Sequence, residues 1–184
     1  MVFNYYQRLS ARNKRIYDAS NRIEALPLPA AAEFWPCMPS LQMALESDQP
    51  AAVQCVCQAL TDAICHQLQL PPVSIKVLAR RPSNRYGELH GLYEGVEGVL
   101  KMARITLWMR TAQRKQVVAF RSFLRTLLHE LCHHLDYTHL KLADSFHTEG
   151  FYKRESSLFH QLVTDAAQAA DKNALPADGP EPVK

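Results

Sequence analysis

Five consecutive residues, His129-Glu130-Leu131-Cys132-His133, place two imidazoles and a carboxylate at the spacing of a site that activates water on a metal ion. On an α-helix, positions i and i+4 project from one face, so both histidines can reach a single ion. Glu130 directly follows the first of them and can aim its carboxylate at a water polarised by that ion. Two ligands, a general base and a Lewis acid are the minimum for zinc-assisted hydrolysis.

Two histidines leave such an ion one protein ligand short. A second helical pattern begins near Thr148, with Phe151, Leu158, Leu162 and Val163 as its apolar side. His147 stands just ahead of it, where its side chain can lean back toward the first helix. Glu155 is the rival third ligand, since it lies two turns further on and could present a carboxylate. Asp136, one turn beyond His133, is placed to accept a hydrogen bond from a ligand N–H. Tyr152 and Arg154, with Tyr137 and His160, are the candidates to stabilise an oxyanion.

The helix that must carry the motif is well marked. From Val117 onward, Phe120, Leu124, Leu127, Leu131 and Leu135 follow the three-and-four spacing of a buried stripe. His129 is two residues from both Leu127 and Leu131, so it faces nearly opposite that stripe. Cys132 projects to the side of the two histidines and reads as a packing residue. Upstream, Val73 to Leu78 alternates like a half-buried strand after the Pro71-Pro72 break, and 80–85 reads as a turn. Glu88 to Glu94 follows as a second strand with Gly91 as a weak point, and Gly95 and Gly98 mark another turn. Ala103 to Met109 is the clearest strand. Three strands beside two helices predict an α+β fold.

With these residues in place, the chain resembles the SprT-like zinc metallopeptidases. In that family the third histidine opens the second helix and an aromatic follows four residues later, as His147 and Phe151 do here. The resemblance covers roughly Val73 to Gln168 in organisation and is specific over Leu127 to Phe151. It implies that His129, His133 and His147 bind Zn²⁺ while Glu130 acts as base in a zincin-like metallopeptidase domain. It also implies that the strand before the motif helix, Arg104 to Arg110, is an edge that pairs with extended substrate. Two features depart from the pattern. Thr148 stands where the family has glycine after the third histidine, and no cysteine-rich ribbon follows the second helix. The arrangement with Glu155 as third ligand, found in gluzincins, therefore stays open.

The first seventy residues predict additional helices. One is expected over Phe3 to Leu26, a Pro-rich link over Pro27 to Pro39, and another helix over Gln49 to Leu70 with Val53, Val56, Leu60 and Ile64 inside. The expected organisation is a helical region over 1–70, the metallopeptidase domain over 71–170, and a structureless tail over 171–184, where Pro, Ala and charge show no apolar period. Five cysteines without framework spacing suit a reducing compartment. The N-terminal residues lack an apolar stretch behind a basic start, and no run approaches membrane-spanning length. The expected setting is thus the cytoplasm, with a protein or peptide substrate and no membrane. Net charge is +3, yet Lys76 to Arg125 contains eleven basic residues against Glu88, Glu94 and Glu97. That basic region, 76–125, is the one place where nucleic acid could be held. The alternatives to a peptidase are a zinc-binding scaffold without activity and a nucleic-acid-associated module.

Overall fold

A computed structural model describes residues 3–85, 87–96 and 102–173 of the chain. Five α-helices and a three-stranded sheet form an α+β fold among them. The helices are α1 (Ala11–Asn21), α2 (Cys37–Glu46), α3 (Pro50–Gln67), α4 (Phe120–Thr138) and α5 (Glu149–Asn173). The strands are β1 (Val73–Arg80), β2 (Ser83–Asn84), β3 (Gly87–Glu88), β4 (Gly91–Glu94) and β5 (Ala103–Arg110). One apolar cluster runs through all layers, from Leu26 and Phe34 through Val53, Ile105 and Leu127 to Leu162.

The sheet corrects the expected edge. Its order is β1-β5-β4, with β5 parallel to β1 and antiparallel to β4. Arg104 to Arg110 is therefore central. Its physical reason lies in ARITLWM itself, where Thr106 and Trp108 on the second face are buried as well as Ile105 and Leu107 on the first. A strand covered on both faces needs neighbours on both sides to satisfy its backbone. The outer edge of β1 is closed by α3. Gln58 accepts from Ile75 N–H at 2.8 Å and donates to Val73 C=O at 2.9 Å, and Gln54 accepts from Val77 N–H at 3.0 Å. Side chains here do the covering that prevents sheet-to-sheet association. The strand left at the other edge is β4, packed beside α4.

Other expectations shift in detail. The strand expected over Glu88 to Glu94 is two pieces, because Gly87–Glu88 pairs back with Ser83–Asn84 as a small hairpin inside the expected turn. Gly91 opens β4 opposite Leu107. The expected turn residue Gly98 lies outside the described residues, as do Tyr86, Glu97 and Lys101. The N-terminal helix is split: a 3₁₀ turn over Asn4–Arg8 precedes α1, whose Ser10 side chain caps the Asn13 N–H at 3.2 Å. The Pro-rich link ends inside α2, a helix unforeseen because Pro39 falls within its first turn, where a missing N–H costs nothing. Helix α5 continues to Asn173, three residues into the expected tail, whose remainder lies outside the described residues.

The N-terminal helices share the core of the rest of the chain. Gly150, in the first turn of α5, meets the end of α1 so closely that a Cβ would stand 2.6 Å from Asn21 C=O and 2.7 Å from Ser20 C=O. Asn21 Oδ1 accepts from Gly150 N–H at 3.0 Å, so the end of α1 caps the start of α5. No helix of the described residues is long and apolar enough to cross a membrane.

Candidate metal centre

Helix α4 buries Phe123, Leu124, Leu127, Leu128, Leu131 and Leu135, each contributing about 1.5–3 kcal/mol by leaving water. Cys132 is buried with them. That seating fixes the rotation of α4, which turns His129 and His133 toward the start of α5. Thr148 caps α5, its Oγ1 accepting from Phe151 N–H at 2.9 Å, and this turn delivers His147. The His147 Nε2 lies 3.0 Å from both His129 Nε2 and His133 Nε2. All three histidines offer a ligand atom within 4.8 Å of one another, close enough to hold one metal ion. Phe151, fully buried, is their floor, with ring centroids 4.9, 4.8 and 5.1 Å from His129, His133 and His147.

The far sides of the imidazoles show what the Nε2 atoms are for. Ser145 Oγ gives its one proton to Asp136 Oδ2 at 2.8 Å, so at 2.8 Å from His133 Nδ1 it must accept. His133 therefore carries its proton on Nδ1 and a lone pair on Nε2. Glu155 Oε2, 3.2 Å from His129 Nδ1, imposes the same tautomer there. Burial and the two neighbouring histidines push the His133 pKa down to about 3, and burial lowers that of His147. Converging neutral imidazoles are the form that binds metal. For bonds of ~2.0–2.1 Å a tetrahedral ion places its ligands roughly 3.3 Å apart. Two of the three separations, at 3.0 Å, are close to that and all three atoms lie within 4.8 Å, so the residues could hold such an ion.

Glu155 thus stands behind His129, while His147 supplies the third nitrogen of the cluster. Arg125 lies on Glu155's other oxygen at 3.4 Å. Replacing Glu155 by Ala is expected to weaken divalent metal binding about 10–100-fold, since the acceptor that orients His129 is lost. Competition against a chromogenic chelator measures this.

Asp136 reaches the site through Ser145 and also binds Arg154 Nη2 at 2.9 Å, both partners fully buried. This corrects the role expected of Arg154. Its Nη1 donates to Ser20 C=O and Ile23 C=O and its Nη2 to Ser20 Oγ and Asp136, and the fully buried side chain does not line the cleft where an oxyanion would form. The residue ties the end of α1 to the metal helix. Tyr152 stays beside the site, its ring stacked 6.0 Å from His147, and Tyr137 lines the cleft. His160 lies outside the cleft lining.

Glu130 lies against β4. Tyr93 N–H donates to its carboxylate, and burial raises its pKa against the opposing pull of His129 and that N–H. A Cβ at Gly91 would stand 2.5 Å from Glu130 Oε1 and 2.7 Å from its Cγ. The absent side chain is therefore space that the carboxylate occupies. Gly91 was visible in the sequence only as a break in alternation, and Ser145 gave no signal at all. Cleft and centre form one cavity of about 690 Å³, walled by β3 and β4 on one side and α4 on the other.

Several of the basic residues between 76 and 125 have partners. Arg110 pairs with Asp48, Arg81 with Glu88 at 3.5 Å and Arg125 with Glu155. No family model matches the chain, and no curated protein or solved structure shows significant similarity to it.

Proposed function

We propose that the protein is a zinc-dependent metallopeptidase of zincin-like layout, akin to the SprT-like enzymes, acting on protein or peptide substrates in the cytoplasm. The observation that supports this most is the meeting of three histidine Nε2 atoms beside a buried glutamate of α4 that lies against the edge strand β4. A nitrogen-only set of three ligands leaves one coordination position for water or substrate, which suits catalytic Zn²⁺. Bound Zn²⁺ supplies Lewis acidity to a water and to the scissile carbonyl.

The chain's own groups account for the remainder. Extended substrate adds to β4 in place of the edge expected of β5, its backbone pairing with that strand beside the cleft. Glu130 takes the proton of the attacking water and returns it to the leaving amine. Its raised pKa brings it nearer to neutrality, where a base can both accept and release a proton. Tyr93 N–H orients the carboxylate. Tyr137, in the cleft wall, takes the place of Arg154 as the candidate donor to a developing oxyanion once its hydroxyl turns from Asp144, to which it donates at 3.4 Å.

Two results test the reading. The zinc-loaded full chain should cleave an unfolded protein such as reduced casein, lose that activity to a chelator and regain it with Zn²⁺. No cleavage of any unfolded protein at full zinc occupancy would refute it. Gly91→Ala should fold normally yet lose about 10²-fold in turnover, because displacing a catalytic group by an ångström costs that much. Thermal midpoint and initial rates, measured together, separate the two effects.

A further inference from the structure

Beside the metal cleft, at the start of α4, lies a second cavity of about 520 Å³ lined by Arg81, His90, Thr111, Ser122, Arg125 and Thr126 among others. Arg81 is only 8% exposed, and its Nε has no hydrogen-bond partner. Its one counter-ion among the described residues, Glu88, touches Nη1 at a loose 3.5 Å and is itself partly exposed. A buried guanidinium with an idle donor is uncommon enough to need a cause. Helix α4 adds a second anomaly. Its N-cap is Ala119, no side chain caps it, and its first turn contains no acid. Nineteen residues of aligned peptide dipole therefore end, positive end outward, in the cavity that Arg81 lines.

From these observations we infer that the cavity is an anion subsite and that its occupant is the carboxylate of an acidic side chain in the peptide held in the metal cleft. The inference rests on the peptidase reading for its occupant but not for the site. His90, Arg125 and Thr126 line both cavities, so the two are continuous. A chain paired with β4 passes His90 as it leaves Gly91, within reach of the second cavity. A carboxylate there meets the Arg81 guanidinium and the first-turn N–H groups of α4, and Arg125, 3.4 Å from Glu155, adds its charge from the cavity wall. Charge-assisted bonds of that kind discriminate strongly against the neutral amide of the same shape. A nucleic acid backbone fits less well, because it needs a run of open cations, whereas Arg110 is already paired with Asp48.

The test has two arms. In the first, sodium sulfate is titrated at constant ionic strength into ¹⁵N-labelled, zinc-loaded full chain. Saturable shifts at His90 and at Phe120 to Ser122 are expected, lost in Arg81→Gln and weakened in Arg125→Gln, the second variant guarding against a folding defect in the first. Absence of saturable shifts in wild type overturns the site. In the second arm, a cleaved parent peptide receives Glu or Gln at each position flanking the scissile bond. At one position Glu should raise kcat/KM about tenfold or more over Gln, and the ratio should fall toward one in Arg81→Gln. Sulfate binding with no Glu preference overturns the acidic side chain as occupant, as does a short single-stranded oligonucleotide that displaces sulfate more tightly than the Glu peptide. Sulfate binding without cleavage of any peptide supports the anion site and removes the peptidase reading instead.

Discussion

Glu130→Gln is expected to keep one metal ion per chain while lowering peptide hydrolysis by about 10²–10⁴-fold, the range lost with a general base. The amide keeps the shape of the carboxylate, so the space at Gly91 stays filled and the Tyr93 N–H keeps an oxygen to bond. What disappears is the ability to take a proton. The residues around the candidate metal position do not replace it: the three histidines converge on that position, and Glu155 lies behind His129. Initial rates on one peptide, with metal measured on the same samples, decide the matter. Turnover within a few-fold of wild type at full occupancy would remove Glu130 from the mechanism.

Asp136→Ala should be the most damaging change to stability. Both members of the Asp136–Arg154 pair are fully buried, and removing the carboxylate strands a guanidinium that has no route to water. Breaking a buried pair from one side costs about 3–5 kcal/mol, a large part of what a domain this size possesses. Three elements loosen together, because Arg154 also holds the last carbonyls of α1. Ser145 loses its acceptor at the same time and can turn its proton toward His133, which then no longer needs to hold its own on Nδ1. Weaker metal binding should accompany the lost stability. The double variant Asp136→Ala, Arg154→Met should recover part of the stability, with no charge left stranded, but not the metal affinity. Urea unfolding measures the first and chelator competition the second. A loss below about 1 kcal/mol in the single variant would show that the pair is open to water.

What the sequence made legible follows from the range of the forces involved. The metal helix was readable because a helix is local: its apolar stripe and the His129–His133 spacing lie within twenty residues. His147 was reachable because the apolar pattern of Phe151, Leu158 and Leu162 marks where the second helix starts. Strand order was not readable, since pairing of β5 with β1 and β4 joins segments far apart, and alternation alone does not say how many neighbours a strand has. The buried second face of ARITLWM was the available sign. Arg154 was misjudged because arginine is ordinarily exposed, and its partners Ser20, Ile23 and Asp136 are brought to it only by the packing of α1 on α5. Tyr5, whose hydroxyl donates to the His147 carbonyl at 2.9 Å, likewise links the N-terminal turn to the site without any local signature.

The central claim is that His129, His133 and His147 hold one zinc ion, and elemental mass spectrometry of the purified full chain tests it most directly. Wild type should contain close to one zinc per chain. His147→Ala should contain almost none, and Glu155→Ala should retain zinc when it is supplied in excess. Loss of zinc with Glu155 but not with His147, or a folded wild type that takes up no zinc at all, would contradict the account.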